Sequence, residues 1–522
     1  MLYFLSMTAL ADTLPDDPEA LKAIVLAERA AHAASLAERD AEAERLRQII
    51  KEMQRHRFGR RAETMPVDQL ELALEDVQQV EAAEAAQAEA GDPERKAATT
   101  SKRRANRGSL PEHLPRIERL VDVEDKACPC CSGALHLIGE DRAERLDVIP
   151  AQFQVLVVRR PKYACRTCEG VVVQAPAPAR LIEGGLPTEA TVAHVVVSKY
   201  ADHLPLYRQA QIYARQGIKL DRSTLADWTG RAAFLLRPLH EHLLQTLRRS
   251  PKLFADETTA PVLDPGRGRI KTGQMWAYAR DDRPWGGADP PAVAYIYAPD
   301  RKAERPMAHL MGFTGVLQVD GYAGYNLLAE KQQVRLAFCW SHARRRFYEL
   351  AAAGSAPIAL EALERIKLLY AIEAEIRGAD SESRRAVRQQ KSRPVLEALE
   401  PWLRAKLATI SRKSKLAEAI GYILRRWDGF ARFLDDGRIE IDNNVVERSI
   451  RPLALGRKNH LFAGSDGGAE HWAVLASLVN TCKLNSVDPA AYFNDVITRI
   501  VQGHPQSQID QLMPWEFTPQ AP

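Results

Sequence analysis

No apolar run in the 522-residue chain approaches the roughly 18 residues of a spanning helix, so nothing in it reads as integral to a membrane. An excess of charge of one sign is missing too. With 72 Lys and Arg against 68 Asp and Glu the net is only +4, so any hold on nucleic acid has to come from local basic clusters. Cysteine is scarce, 7 residues, and four of them fall in two Cys-x-x-Cys pairs, which fits a reducing compartment with a metal site better than a disulfide framework. Met1 to Ala11 ends in Ala-Leu-Ala as a signal peptide does, but it carries no Lys or Arg and its apolar part is short. The expectation is a cytoplasmic protein whose translation starts at Met1 or at Met7. What the chain does have, 46% apolar and 27% charged residues, suits several globular domains with a large core.

Residues 1–90 read as an N-terminal helical region, because Glu19 to Arg57 is rich in Ala, Glu, Arg and Leu and has no Gly or Pro. A heptad runs through Val25, Leu36, Ala43, Leu46, Ile50 and Met53, but Arg29, His32 and Arg39 share its seam, so a coiled coil and a solvated helix both remain open. Val67 to Ala90 continues as an acidic, alanine-rich helix. Residues 91–120 form a basic linker in which Arg103 and Arg104 are candidates for DNA backbone contact, and a solvated tether is the alternative.

Cys128-Pro-Cys130-Cys131 and Cys165-Arg-Thr-Cys168 are two knuckles whose thiolates suit a tetrahedral zinc. Cys130 is a rival for either place in the first pair, but only Cys128 with Cys131 repeats the spacing of Cys165 with Cys168. The strand-like run Leu146 to Tyr163 lies between them and supplies a connecting hairpin, so residues 121–180 read as a zinc-ribbon-like module. Cys339 and Cys482 read as core residues.

Residues 181–250 are helical in pattern. Pro205 to Arg215 makes one helix, Gln216-Gly217 a turn, and Asp221 or Ser223 caps a following helix that carries Arg222 and Thr224 as candidate DNA-reading residues. The same pattern is also the commonest small helical packing motif. Residues 251–465 read as one domain that opens, from Lys252 to Tyr325, with strands alternating with turns. In the segment Lys252 to Leu263, Leu253-Phe254-Ala255 makes a short apolar strand that Asp256 interrupts, Pro265-Gly266-Arg267-Gly268 connects it to Ile270–Arg280, and Pro291 to Tyr297 is a third strand. A helix around Glu304 to Met311 leads to the strand that ends at Asp320. Val334 to Trp340 is another strand, and a helix starts near Ser341. Pro357 to Phe433 reads as helices, an insertion at about 357–433. Residues 466–522 form a helical C-terminal element.

Three acids stand out. Asp256 interrupts the apolar run Leu253-Phe254-Ala255, and Asp320 ends a second apolar strand, where a carboxylate is expensive unless it is paired or bound to metal. Glu447 lies on a helix from Asn444 to Ile450, capped by Asp442 with Asn443, limited by Pro452, and flanked by Arg448, Arg451, Arg457 and Lys458. Two strand acids and a helical glutamate read as a divalent-metal cage, although each also reads as an ordinary cap or turn residue. Glu440 and Asp442 compete for the third place. Asp442 is better used as a cap and Glu440 sits in the approach to the helix, which leaves Glu447, with Asn443 and Arg451 four residues to either side on one helix face.

Four segments, ADETTAPVLDPG, QVDGYAGYN, CWSHARRRFYEL and IDNNVVERSIRPLALGRKN, together resemble the transposases of the IS66 insertion-sequence family, from about Pro15 to the C-terminus. The resemblance implies a multidomain α+β protein in which an RNase H-like core, opened by an antiparallel meander, carries a DDE site of Asp256, Asp320 and Glu447. That site would hold Mg2+ (or Mn2+) for two-metal cleavage and strand transfer at the ends of the element. The partners implied are double-stranded DNA at the element ends and the target, further copies of the chain, and companion proteins of the element. Zn2+ is the second metal. His342, Arg344, Arg448, Arg451 and Lys458 are candidates for holding the scissile phosphate and its flanks, each also readable as a surface ion-pair partner. Thr259 departs from the family pattern, which has proline soon after the first Asp-Glu-Thr. Two rivals stand beside this reading: a zinc-dependent DNA-binding regulator, which leaves the three acids unexplained, and an RNase H-like nuclease that only cleaves.

Overall fold

The computed structural model describes residues 152–164, 172–264, 269–354 and 356–519, together with 22, 29, 92–94, 96–99, 116 and 130. The chain divides into two compact units, Met1–Pro150 and Ala151–Pro522. The heptad, the linker arginines Arg103 and Arg104, and Cys128, Cys131, Cys165 and Cys168 all lie outside the described residues; Cys130 is exposed and free. In the second unit β1 (Lys162–Ala164) pairs antiparallel with β2 (Val172–Gln174). The hairpin therefore lies later than the strand-like run from Leu146 suggests. Residues 152–161 have no strand partner among the described residues, and Val155, Leu156 and Val157 stand in solvent. Strand preference expresses packing against a neighbour; Phe153 finds one edge-on at Tyr213 and Arg160 donates to Ala175 O, but the apolar middle of the run does not.

Three helices follow: α1 (Glu189–Tyr200), α2 (Leu206–Ala214) and α3 (Arg222–Arg248). The Thr188 hydroxyl accepts from Thr191 N at the start of α1, and Gly217, at φ +79°, makes the turn between α2 and α3. The second helix of the pair is no short reading helix. It runs 27 residues and buries Leu225, Trp228, Leu236, Leu243 and Leu247 along one face, so that stripe packs in the core.

A five-stranded sheet follows, in the order β5-β4-β3-β6-β7, from β3 (Lys252–Asp264), β4 (Arg269–Arg280), β5 (Ala292–Ala298), β6 (Val316–Val319) and β7 (Arg335–Phe338). β3, β4 and β5 are antiparallel; β6 runs parallel to both β3 and β7. The short helices α4 (Glu304–His309) and α5 (Asn326–Lys331) precede β6 and β7. Beyond β7 come α6 (Trp340–Ala352), α7 (Pro357–Glu375), α8 (Ser381–Val387), a wider turn at Arg388–Ser392, α9 (Arg393–Thr409), α10 (Lys415–Leu424) and α11 (Trp427–Ala431). Arg388 is fully buried here and is satisfied by Glu373, with Nη2 to Oε2 at 2.7 Å.

The chain closes with α12 (Asn444–His460), α13 (Asp466–Leu484) and α14 (Pro489–Val501). α13 covers the edge strand β5 closely enough to bond it: Ser477 Oγ accepts from Tyr295 N at 2.8 Å and Thr481 Oγ1 donates to Val293 O at 3.0 Å. α12 corrects the expected stop at Pro452, because the helix continues to His460. A proline removes one N–H and strains the preceding turn by ~3 kcal/mol, but buried Val446 and Leu453 anchor both halves on the core. Arg448, whose carbonyl the proline leaves unbonded, is exposed to water, and the neighbouring Ser449 carbonyl takes the Tyr295 hydroxyl at 2.5 Å. Among the described residues no helix is long and apolar enough to cross a membrane.

Candidate active site

The parallel pairing of β3 with β6 places the first two acids. Phe254 is in register with Gln318, and Asp256 and Asp320 each lie two residues further on, so Asp256, inside β3, stands beside Asp320 just past the end of β6, on neighbouring strands ~4.8 Å apart. Asp256 accepts from Glu257 N at 2.8 Å through Oδ1, and Asp320 accepts from Tyr322 N at 2.8 Å. The turn after Asp320 needs Gly321, at φ +98°, where an added Cβ would sit 2.9 Å from the Tyr422 hydroxyl. That hydroxyl, on α10, donates to the Asp320 carbonyl, and Arg426 Nη2 donates to Gly321 O at 3.2 Å. The helical insertion thus grips the backbone that carries the second acid.

Glu447 arrives by a different route. Gln318, only 1% exposed, accepts from Glu440 N at 2.9 Å and donates to Glu440 O at 2.9 Å and Asp442 O at 3.4 Å. Trp340 N donates to Ile441 O at 3.0 Å, and Asn443 donates from its backbone to Cys339 Sγ at 3.2 Å and from its side chain to Ala255 O at 3.1 Å. These bonds lash the segment before α12 to Ala255 within β3, to Gln318 of β6 and to Cys339 and Trp340 just past β7. Asn443 is fully buried as one of those tethers, so it does not share an open face with Glu447 and Arg451 as its spacing suggests. Of the competing acids, Asp442 accepts from Asn444 N at 3.2 Å as a cap, and Glu440 takes Arg384 Nη1 at 2.8 Å. Glu447 is left facing His342, with Oε1 3.6 Å from Nδ1.

Asp256 feels the charges of the other two acids, yet the three do not converge as one ligand group: among the described residues the group of potential ligand atoms within 4.8 Å of one another is Cys339, His342 and Glu447. Burial pushes the Asp256 carboxyl up to about 8, and the negative charges of Asp320, Glu257 and Glu447 push in the same direction. Asp442 is raised to about 6, again mainly by burial. Glu257 was not singled out by its sequence. Its side chain is 2% exposed and is held by Arg301, with Nε to Oε1 at 2.7 Å, and by the Tyr325 hydroxyl at 2.9 Å. The available signal was alternation: the residue after a strand acid falls on the opposite face, where a second carboxylate needs partners of its own.

The basic candidates divide. His342 and Arg344 lie early in α6, Arg344 with its guanidinium 6.0 Å from the Tyr348 ring. Arg448, Arg451 and Lys458 are exposed along α12 with no carboxylate within ion-pair distance among the described residues. Arg457 is instead used internally, donating to Thr259 Oγ1 at 2.6 Å, so the departure at Thr259 has a partner. Arg222 is exposed and Thr224 half-buried at the start of α3, and Arg208 of α2 reaches Asn459 of α12 at 3.3 Å, which sets the helix pair beside the far end of the Glu447 helix. Cys339, read as a core residue, is buried, yet its sulfur lies with His342 and Glu447 in one cluster of potential metal ligands. Its signal was the Cys-x-x-His spacing from Cys339 to His342.

Comparison with known families matches residues 184–471 to the transposase IS66 family and residues 125–169 to the zinc-finger binding domain of transposase IS66. Residues 477–515 match the IS66 C-terminal element, and residues 45–119 the family described as transposase C of IS166 homeodomain. Relatives from Sinorhizobium fredii (strain NBRC 101917 / NGR234) include the uncharacterized protein y4qI, 46% identical over 97% of this chain and 98% of its own length. The uncharacterized proteins y4jD and y4hP are 50% and 38% identical, over 79% and 90% of this chain and 82% and 88% of their own lengths.

Proposed function

The chain belongs to the IS66 transposase family, and from that premise we propose that it binds the ends of its own element and catalyses metal-dependent phosphodiester cleavage and strand transfer through Asp256, Asp320 and Glu447. The observation that carries the reading is the parallel register of β3 and β6, which sets Asp256 beside Asp320, with Asp256 buried and pressed upward by that burial and by the charges of Asp320, Glu257 and Glu447. Such a set is comfortable as three carboxylates only with cations among them, and its oxygen donors suit Mg2+ or Mn2+. The order of three antiparallel strands followed by two parallel ones, with the last acid on a helix beyond a helical insertion, supports an RNase H-like core.

When bound, the metal ions supply an activated water or 3′ hydroxyl and neutralise charge on the leaving oxygen. The chain's own residues do the rest. Tyr422 and Arg426 hold the backbone at Asp320 and Gly321, and Gln318 and Asn443 hold the approach to Glu447. Arg448, Arg451 and Lys458, with His342 and Arg344, bind the scissile phosphate and its flanks, the arginines by bidentate contact. Arg222 and Thr224 read bases, and Arg103 and Arg104 follow the backbone. Cys128, Cys131, Cys165 and Cys168 hold structural Zn2+ in the zinc finger. The protein works in the cytoplasm as a homo-oligomer on DNA, with companion proteins of the element as further partners.

The test is cleavage and joining of the element's own end DNA by the purified full chain, with and without Mg2+. Joining that requires Mg2+ supports transposition; cleavage without joining makes the protein a nuclease, and binding with neither reaction makes it a regulator.

A further inference from the structure

Cys339, His342 and Glu447 bring one sulfur, one imidazole nitrogen and one carboxylate oxygen within 4.8 Å of one another. The grouping has local causes. Cys339 follows β7 as the N-cap of α6, so His342 stands three residues on in the first turn, and α12 delivers Glu447 across the strand ends. His342 Nδ1 and Glu447 Oε1 are both buried atoms without a hydrogen-bond partner, 3.6 Å apart. That separation is too long for a hydrogen bond. It is close to the ~3.3 Å between two ligand atoms that each lie about 2.0–2.1 Å from one tetrahedral zinc. Cys339 Sγ is oriented by accepting from Asn443 N at 3.2 Å, the kind of outer contact that fixes a ligand.

We infer that Cys339, His342 and Glu447 form a second zinc site, open at its fourth position, whose occupation by Zn2+ withdraws Glu447 from the magnesium cage. Sulfur and imidazole favour Zn2+ over Mg2+, whereas the two aspartates offer only hard oxygen, so Glu447 is the ligand for which the two metals compete. Binding releases the Cys339 thiol proton to solvent, leaving a thiolate ligand. The zinc site stands on its own geometry; the inhibition rests on the reading that Glu447 completes the catalytic cage.

Full-length protein equilibrated with Zn2+ and passed through a desalting column should carry one zinc per chain more than Cys339→Ala or His342→Ala treated the same way. Co2+ should add a tetrahedral absorption band in the wild type that both variants lack. Asp442→Asn, next to the cluster but outside it, should keep the extra zinc. Equal metal counts in the wild type and either variant overturn the site, as does loss of the extra zinc in Asp442→Asn, which would mean general loosening rather than lost ligands. Zn2+ added to the Mg2+ reaction should stop joining. A protein that takes the extra zinc but never joins DNA with Mg2+ sinks the transposition reading and leaves the site; one that joins DNA but takes no extra zinc does the reverse.

Discussion

The two strand-borne acids and the helix-borne acid are positioned by different parts of the molecule. Asp256 and Asp320 follow from sheet register, because once β3 and β6 pair in parallel both carboxylates must emerge together. Glu447 depends on side chains distant in sequence: Gln318 bonds to Glu440 across 122 residues and Asn443 to Ala255 across 188. A pleated pair is rigid by repetition, whereas a lashed loop is only as good as each of its bonds. Removing one tether should therefore displace Glu447 while leaving the aspartates in place.

Neutralising the acids themselves should have the largest effect. Asp256→Asn, Asp320→Asn and Glu447→Gln are each expected to lower cleavage and joining ~10³-fold or more, and the double variants to be little worse, as for groups that act as one unit. Fold, zinc-finger zinc and end binding should persist, while Glu447→Gln should also lose the zinc held with Cys339 and His342. Full strand transfer by Glu447→Gln would show that all three positions are not required.

Gln318→Ala comes next. It leaves Glu440 N without its partner in a covered position, a loss of about 1–3 kcal/mol in denaturant unfolding. Displacing Glu447 by even ~1 Å should lower joining about 10²-fold. The discriminating measurement is Mn2+ affinity, which should weaken less in Gln318→Ala than in Asp320→Asn. Equal weakening would mean that the aspartates depend on the same tether and would break the contrast.

Smaller still is Gly321→Ala. At φ +98° a side chain is strained by about 1–2 kcal/mol, and the new Cβ would press on the Tyr422 hydroxyl at 2.9 Å. Tyr422→Phe removes only the bond to the Asp320 carbonyl, ~1 kcal/mol. If Gly321→Ala unfolds at the same denaturant concentration as the wild type, the insertion does not grip this turn.

The same contrast governs what was legible in the sequence. Local signals reach the strands: Leu253-Phe254-Ala255 and the run before Asp320 are apolar enough to mark central strands, and both lie in β3 and β6. The helices from Pro357 to Phe433 follow from composition in the same way. Local pattern fails wherever the partner is distant. Gln318 looks like any polar residue in a strand until Glu440 is folded onto it, and Asn443 looks like a surface cap until Ala255 claims its amide. Pro452 looks like a helix stop because the buried contacts of Val446 and Leu453 that override it belong to tertiary structure. Cys339 looks like a core thiol because Glu447, its neighbour in space, lies on another element. Residues 155–158 show the opposite error, a strong strand pattern that meets no neighbouring strand among the described residues.

The smallest effect on joining is expected at Asp442, five residues before Glu447, and it tests the choice between the two most directly. Asp442→Asn keeps an oxygen to accept from Asn444 N, so α12 should start where it does now and Glu447 should not move. Joining should stay within a few-fold of the wild type. Stability should change in a manner set by the sign of the Asp442 shift. Burial raises its carboxyl from 3.8 to about 6, so below 3.8 the acid is protonated in both folded and unfolded chains and no stability is lost. As pH climbs from 3.8 to 6 the unfolded chain ionises first, and the folded state loses stability on the order of 1–3 kcal/mol. The asparagine cannot titrate, so the difference in unfolding free energy, variant minus wild type, should grow in the variant's favour across that window and be flat above it. A flat difference throughout would mean that Asp442 is not strained by burial. Loss of joining in Asp442→Asn with Glu447→Gln still active would transfer the third place in the cage from Glu447 to Asp442.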